Sequence, residues 1–414
     1  MGTTAGVGGY EWWQYVIVPF MAGTVGWFTN VLALEMTFRP IEFFGFELFR
    51  MGGRPWGIGW QGIIPSKSEK MAKICVTLMT EQLFDIKELF KRLKPENFYA
   101  ALEDGLILMI DQIIDEISEE YMPNTWYYLP DNVKNEVVVM ANKACPDFLT
   151  RFIADMQANI LNVLDINQMA VSACVKNKSL TNKIFLECGD KEFAFIRKSG
   201  FYFGFLFGCV QMGILFAYDE KWVFPVSGFI VGWLTNFLAL KCIFKPLNPY
   251  KCGPLTIHGL FLKRQVEVAE SFARVICQEL ITTDKMWDSI LTGPKCKNFE
   301  KLLREHTIIF TDKVIGGLRP IALKTLGADK FAMMKEDVAE KVITLLPDII
   351  EQSYIYTTEA LDLEKTISEE MKKLSSEEFE QVLHPAFEED EVILIILGAI
   401  LGALVGIVQI FIFG

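Results

Sequence analysis

VGWFTNVLALEMTFRP, Val25 to Pro40, is apolar enough to enter a bilayer, yet it places Asn30 near its middle and Glu35 near its end. Polar groups are costly in hydrocarbon, so they mark either a functional site or a hydrogen bond between packed helices. The stretch therefore leaves two alternatives open, a transport or ligand path and a structural contact.

The same pattern returns in the second half of the chain. VGWLTNFLALKCIFKP, Val231 to Pro246, aligns without a gap at an offset of 206 residues (231 − 25) and keeps Gly-Trp-x-Thr-Asn. A second pair, GFYFGFLFGCVQ from Gly200 and GAILGALVGIVQ from Gly398, shares the spacing G-xxx-G-xxx-G-xx-Q. Two matches of this kind predict an internal duplication.

The composition indicates a protein that lies partly in a membrane and partly in water. Its 414 residues are 51% hydrophobic and 22% charged, and the formal net charge is −12. That charge disfavours nucleic acid as a partner, because phosphate binding requires a basic face. The nine cysteines form no CxxC pair and the three histidines lie far apart, so we expect no metal, disulfide framework or cofactor.

Four stretches are long and apolar enough to span a bilayer, namely residues 14–38, 199–218, 222–244 and 392–413. Each predicted half crosses twice, so both halves enter with the same orientation. Positive residues such as Arg39, Arg197, Lys198 and Lys245 flank one side, which the positive-inside rule assigns to the cytoplasm. We therefore expect cytoplasmic soluble regions and both termini on the opposite side of an inner or equivalent membrane.

The predicted fold class is an all-α integral membrane protein. Its four transmembrane helices come from a tandem, parallel two-helix repeat, and a large helical region is cytoplasmic, because apolar residues recur there at three- and four-residue spacing. Turn residues Gly52 and Gly53 favour an interfacial hairpin over a re-entrant loop. The predicted segments are 1–40 (first helix), 41–65 (aromatic, Gly-rich hairpin), 66–198 (cytoplasmic, repeat 1), 199–246 (transmembrane hairpin), 247–262 (interfacial), 263–391 (cytoplasmic, repeat 2) and 392–414 (fourth helix).

These motifs resemble the domain of unknown function 445 family of mostly bacterial membrane proteins. The resemblance is carried by GWFTNVLAL and GWLTNFLAL, GIIPSKSEKMA, RKSGFYFGFLFGCVQM and LDLEKTISEEMKKLSSEEFEQVLHPAFEEDE, and it covers nearly the whole chain. It implies a membrane protein with a large helical cytoplasmic part and leaves the activity open.

Polar residues of the predicted spans form the first candidate site: Thr29, Asn30, Thr235, Asn236, Gln211 and Gln409. At about 1.5 Å per residue, Asn30 lies roughly 12 Å and Gln211 roughly 20 Å outward from the inner ends of their helices, which disfavours contact between them. We expect Asn30 to pair with Asn236 near a pseudo-twofold axis, and Gln211 with Gln409 further out. A polar translocation path is the alternative.

Glycine spacing predicts where helices pack. The small-xxx-small pattern lets backbones approach closely, and its members are Gly26, Gly232, Gly200, Gly204, Gly208, Gly398, Gly402 and Gly406. Glu35 and Lys241 occupy equivalent positions with opposite charges. An ion pair across the axis and independent extension of each side chain towards water are both open.

Basic residues next to the membrane form the second candidate site: Arg54, Lys67, Lys70, Lys263 and Arg264. They lie at helix starts, which attract anions, so anionic phospholipid headgroups are possible ligands. Plain topology signalling is the alternative, and it is favoured.

No nucleophile elbow, phosphate loop or zinc signature occurs in the sequence, so we expect no enzyme. The predicted role is a membrane-anchored helical scaffold that organises lipid or protein partners at the inner membrane face. Membrane lipids, a protein partner or a second copy of the chain are the expected partners. The alternative is a small-solute or lipid transporter or channel with a Thr-Asn path between the repeats.

Overall fold

The computed structural model describes residues 12–51, 54–217, 220–252, 255–316, 319–383 and 385–413. Helices dominate these residues, and the strands form two short antiparallel hairpins.

In the first half of the chain a π-helical turn, Met79–Leu83, lies between the third and fourth helices. The helices and strands are α1 (Trp12–Phe38), β1 (Phe44–Met51), β2 (Arg54–Trp60), α2 (Ile63–Ser66), α3 (Ser68–Leu78), α4 (Ile86–Phe90), α5 (Pro95–Tyr121), α6 (Pro123–Tyr128), α7 (Asp131–Ala158), α8 (Ile160–Val163), α9 (Ile166–Lys176), α10 (Ser179–Cys188) and α11 (Asp190–Ala217).

In the second half a π-helical turn, Ile276–Leu280, and a 3₁₀ turn, Glu351–Ser353, interrupt the helices. The elements are α12 (Val223–Phe244), β3 (Tyr250–Cys252), β4 (Leu255–Ile257), α13 (Leu260–Lys263), α14 (Gln265–Val275), α15 (Thr283–Thr292), α16 (Cys296–Ile315), α17 (Arg319–Leu326), α18 (Ala328–Ile350), α19 (Tyr354–Leu361), α20 (Leu363–Lys373), α21 (Ser376–Leu383) and α22 (Pro385–Phe413).

The chain divides into two compact units, each built from separate stretches of sequence. Unit 1 comprises Met1–Met79, Val171–Ile276 and Ile367–Gly414, and unit 2 comprises Thr80–Ala170 and Cys277–Thr366. Each unit therefore contains residues from both halves of the sequence.

Four helices of the described residues are long and apolar enough to cross a membrane, and all four belong to unit 1. Their apolar spans are Tyr15–Phe38, Asp190–Ala217, Val223–Phe244 and Glu391–Phe411. The second helix begins at Asp190 and not at the predicted residue 199. Charged residues such as Arg197 and Lys198 are good helix formers, so they continue the helix beyond its apolar stretch.

The apolar helices of unit 1 pack as two close pairs, α1 with α11 and α12 with α22. Further contacts join α11 to α12, and α1 to both α12 and α22. A buried apolar cluster fixes one end of this arrangement, with Tyr15 and Val18 from α1, Leu215 from α11, and Val223 and Phe224 from α12. The four spans therefore form one packed group of helices within the unit.

An antiparallel hairpin follows each of the two Thr-Asn helices. In the first hairpin Phe46 lies opposite Ile58, and the register is irregular between Glu47 and Phe49. The second hairpin is shorter and pairs Tyr250 with Ile257. Strands therefore occupy much of the aromatic and glycine-rich segments that follow α1 and α12.

Unit 2 is a helical bundle whose centre is formed by α5, α7, α16 and α18. Each of these helices packs against two of the others: α5 against α7 and α18, and α16 against α7 and α18. Large side chains such as Phe98, Ile153 and Phe299 are buried in this unit. Interhelical spaces in bundles of this type are common places for ligand sites.

Candidate functional site

Glycines bring the backbones of α1 and α11 into direct contact. A Cβ added to Gly204 would lie 2.5 Å from the carbonyl oxygen of Ala22, and one added to Gly208 would lie 2.6 Å from the Cα of Pro19. A Cβ on Gly26 would collide with the carbonyl of Gly200. These neighbours are backbone atoms and cannot rotate away, so the seam between the two helices is closed.

The seam between α12 and α22 is built in the same way. A Cβ on Gly232 would collide with the carbonyl of Gly398, and one on Gly402 with the carbonyl of Gly228. A Cβ on Gly406 would lie 2.4 Å from the carbonyl oxygen of Phe224 and 2.5 Å from the Cα of Pro225. Gly228 was not among the predicted packing glycines, although its spacing of four residues from Gly232 is the same small-xxx-small signal.

The two buried asparagines each bind a backbone carbonyl of the glycine helix beside them. Asn30 donates from Nδ2 to the carbonyl oxygen of Ile196 at 2.6 Å, and Asn236 donates from Nδ2 to that of Leu394 at 2.7 Å. The predicted Asn30–Asn236 pair is therefore wrong. The physical reason is Gly200, whose missing side chain leaves room for the Asn30 amide, since a Cβ there would lie 2.7 Å from its Nδ2.

Thr29 and Thr235, two further polar residues of the spans, form hydrogen bonds within their own helices. The hydroxyls of Thr29 and Thr235 donate within their own helices, to the carbonyls of Gly26 and Gly232 at 3.1 and 3.2 Å. Both threonines are fully buried. Their polarity is therefore satisfied locally.

The predicted Gln211–Gln409 pair is also wrong, although both side chains are buried. Gln211 Nε2 has no hydrogen-bond partner among the described residues. The reason lies in the packing of the helices. α11, which carries Gln211, and α22, which carries Gln409, each pack against α1 and α12 and not closely against each other. The oxygens Oδ1 of Asn30 and Asn236 likewise have no partner in the described part of the chain.

Glu35 and Lys241 each interact with a side chain four residues away in the sequence, near the end of the helix that carries them. A carboxylate oxygen of Glu35 lies 3.8 Å from Nε of Arg39, and both side chains are exposed. Lys241 Nζ lies 5.2 Å from the ring centroid of Phe237. The structure thus favours independent placement of the two charges over the ion pair across an axis.

Arg264, a predicted lipid contact, is the partner of a buried carboxylate. Its Nη1 donates to both carboxylate oxygens of Glu192, at 2.7 and 2.8 Å, and its Nε donates to Glu267 at 3.0 Å. Lys191 Nζ binds Glu267 at 2.6 Å. The hydrogen bond from Lys191, followed by that from Arg264, lowers the pKa of Glu267. We call these four residues the Glu192 network.

The other predicted lipid contacts have no single role in common. Lys70 and Lys263 are exposed and Lys67 is half-buried, and both Lys67 and Lys70 take part in further interactions. The side chain of Arg54 lies outside the described residues. A shared headgroup site at these cations remains a prediction.

The hairpin after α1 presents an exposed apolar face whose residues were not predicted from the sequence. Phe44, Phe46 and Ile58 are 80%, 82% and 77% exposed, and Phe46 lies directly opposite Ile58 in the ladder. Alternation along a strand puts Phe44 on the same side as Phe46. We call these three residues the hairpin face.

The base of this hairpin is fixed to the end of α1. Trp60 donates from Nε1 to the carbonyl oxygen of Met36, in the last turn of the helix, at 3.0 Å. The backbone N–H of Gly62 donates to the carbonyl of Pro40 at 2.9 Å. The hairpin therefore starts at the end of an apolar span.

Unit 2 contains an apolar cavity of about 380 Å³, lined by side chains of α5, α6, α7, α16, α17 and α18. Thr307 and Thr311, which line it, donate their hydroxyls to carbonyls of their own helix at 2.8 Å each. Burial raises the pKa of the lining thiol of Cys145 to about 12. The cavity wall is therefore almost free of available polar groups.

The described residues hold no group of three or more His, Cys, Asp or Glu side chains placed to bind a metal ion. The candidate features are thus the closed polar seams, the Glu192 network, the hairpin face and the cavity.

Comparison with known proteins finds similarity to membrane proteins over part of the chain. It is 37% identical over 105 residues to a UPF0754 membrane protein of Nostoc sp. (strain PCC 7120 / SAG 25.82 / UTEX 2576), which covers 24% of each chain. It is 28% identical over 141 residues to a UPF0754 membrane protein of Bacillus cereus (strain AH820), covering 32% of this chain and 35% of the relative. A UPF0754 membrane protein of Nostoc punctiforme is 33% identical over 114 residues, or 26% of each chain.

These matches span 24% to 35% of the length of the relatives. No protein-family profile and no solved structure matches the chain. Together with the four apolar helices, the relatives indicate a membrane protein, and their names state no substrate or activity.

Proposed function

We propose that the chain is a non-enzymatic, membrane-anchored helical protein that organises lipid at the inner, cytoplasmic face of a membrane. The hairpin face is the observation that carries this proposal. Phe44, Phe46 and Ile58 are each more than three-quarters exposed. Burying such a side chain contributes about 1.5–3 kcal/mol, so an apolar surrounding would stabilise this face strongly.

The position of the hairpin supports lipid as that surrounding. Phe38 ends an apolar span, and Phe44 follows it six residues later. A fully extended segment of six residues is at most about 20 Å long. The bond from Trp60 to Met36 holds the hairpin base closer still. Tryptophan side chains favour the headgroup level of a bilayer, and Trp60 lies at the base of the hairpin, so the hairpin face lies within reach of lipid.

The proposal includes a parallel two-helix repeat with a cytoplasmic soluble part. Equivalent contacts support the repeat, because Asn30 and Asn236 bind carbonyls at corresponding places of α11 and α22. Arg39 and Lys245 at the ends of the two Thr-Asn helices support the orientation. Membership of the domain of unknown function 445 family, and a protein partner or second copy, belong to the proposal as well.

Photo-crosslinking tests the hairpin face directly. Replacement of Phe46 by p-benzoyl-phenylalanine is expected to give covalent phospholipid adducts after irradiation of the full chain in bilayers, because this ring contacts acyl chains. Mass spectrometry of the hairpin peptide measures the adduct. The matched control is the same replacement at Glu47, which lies on the opposite side of the strand. Absence of lipid adducts at position 46, or equal adducts at positions 46 and 47, contradicts the proposal.

A conduit is the second candidate function, and one observation favours it. Three buried side-chain amide atoms of the four apolar helices lack hydrogen-bond partners among the described residues: Oδ1 of Asn30, Oδ1 of Asn236 and Nε2 of Gln211. Such groups in a span often mark a transport path. The closed backbone contacts at Gly26, Gly204 and Gly208 argue the other way, because they leave no space along the α1–α11 seam.

Proteoliposomes decide between the two candidates. We expect liposomes that contain the full chain to release potassium ions and protons no faster than protein-free liposomes, because the seams are packed. Flux that exceeds this background, and that falls in Asn30→Leu and Asn236→Leu, would favour the conduit. Thr24→Val, which removes a hydroxyl from an exposed position of α1, is the control for a polar substitution outside the seam.

A further inference from the structure

We propose that the cavity of unit 2 is a binding site for one long acyl chain. This inference goes beyond lipid contact at the hairpin face and rests on different residues. The cavity belongs to the bundle of α5, α7, α16 and α18, with α6 and α17 completing the wall. Its volume of about 380 Å³ lies within the range of about 300–1,000 Å³ that small-molecule sites occupy.

The shape of the cavity suits a linear molecule. Along α5 the lining residues run from Leu106 to Ser118, which corresponds to about 18 Å at 1.5 Å per residue. Along α7 they run from Val133 to Phe148, or about 22 Å. The free space is therefore long relative to its volume. A compact ring system would leave its ends empty, and a peptide helix about 10 Å wide would not fit.

The chemistry of the wall selects an aliphatic occupant. Most of the lining residues are aliphatic, such as Ile110, Ile113 and Val338, and no charged side chain of the described residues lines the cavity. The hydroxyls of Thr307 and Thr311 are already bonded within α16. Apolar cavities of about 150 Å³ bind hydrocarbon, so the apolar wall of this larger one favours methylene groups.

The acyl chain has two chemical sources, a free fatty acid and a membrane phospholipid. Both present the same hydrocarbon to the cavity and differ in the headgroup that stays outside it. Two probes separate them: palmitic acid that carries a diazirine near its terminal methyl group, and phosphatidylcholine that carries the same photoactivatable chain.

The experiment uses the full chain in lipid nanodiscs with each probe. After irradiation and digestion, we expect adducts on peptides that contain residues 106–118 of α5 and 307–315 of α16, because these face the cavity. Labelling by palmitic acid alone identifies a fatty-acid site, and labelling by phosphatidylcholine identifies a phospholipid chain. Either result supports the acyl-chain site. Labelling confined to peptides that do not line the cavity would overturn it.

Cavity-filling variants provide the second readout. Ala141, buried on α7, lines the cavity, whereas Ala154 is exposed on the same helix. Ala141→Phe is expected to reduce labelling of the cavity peptides by about tenfold, which corresponds to a loss of about 1.4 kcal/mol in binding. Ala154→Phe is expected to leave labelling unchanged. Val338→Phe fills the cavity from α18 and replaces the first variant if that variant does not fold. Unchanged labelling in the folded filling variants would contradict the proposal.

Discussion

Arg264→Leu is expected to lower the free energy of unfolding by about 3–5 kcal/mol, because it leaves a buried carboxylate without its partner. The Glu192 side chain is only 4% exposed, and it receives two hydrogen bonds from the guanidinium. Unfolding of the full chain in mixed micelles, followed by circular dichroism, measures the difference.

Two control variants make this result specific. The double variant Glu192→Leu/Arg264→Leu removes both charges, so most of the stability is expected to return. Lys73→Leu breaks an exposed pair with Glu69, in which each side chain is 61% exposed, and is expected to cost no more than about 0.5 kcal/mol. Arg264→Leu that behaved like Lys73→Leu would show that the Glu192 network does not hold unit 1 together.

The same variant distinguishes two roles for Arg264, a contact with lipid headgroups and the partner of a buried carboxylate. A headgroup contact predicts fewer bound anionic lipids and little change in stability when the arginine is lost. The buried pair predicts the opposite, because Glu192 at the start of α11 depends on Arg264 next to α14. Native mass spectrometry of the variant, which counts retained lipids, distinguishes the two.

The membrane spans could be predicted from the sequence because their signal is local. Twenty or so consecutive apolar residues identify a span whatever surrounds it, and the glycine spacing indicates close packing of helices. The start of α11 at Asp190 was missed, since a helix can continue past the apolar stretch that reveals it.

The partners of the polar residues could not be predicted in the same way. Asn30 and Asn236 donate to backbone carbonyls. Because every residue has a backbone carbonyl, the pattern of side chains in the sequence does not identify which residue is the acceptor. The pairing of Glu192 with Arg264 joins residues far apart in sequence and follows no helical spacing. An apolar cavity is equally invisible, because helices around a filled core and around a void have the same periodicity.

Gly200→Ala is expected to lower the free energy of unfolding by about 1–3 kcal/mol, which is typical of overpacking. The new methyl group would meet the carbonyl of Gly26 and would lie 2.7 Å from Nδ2 of Asn30. Either α1 and α11 move apart or the Asn30 amide leaves the carbonyl of Ile196. Unfolding in mixed micelles gives the free energy, and the amide chemical shift of Asn30 reports the second change.

Gly213→Ala is the matched control, because it makes the same chemical change on the same helix at a position with nothing within 4 Å of the added Cβ. It is expected to be neutral or slightly stabilising, since alanine favours helix more than glycine does. Gly398→Ala extends the test to the second seam, where the added methyl would collide with the Asn236 amide. If the seams act alike, Gly398→Ala matches Gly200→Ala. If both variants instead match Gly213→Ala, close backbone packing does not hold the paired helices together, and the case against a path along the seams loses its main support.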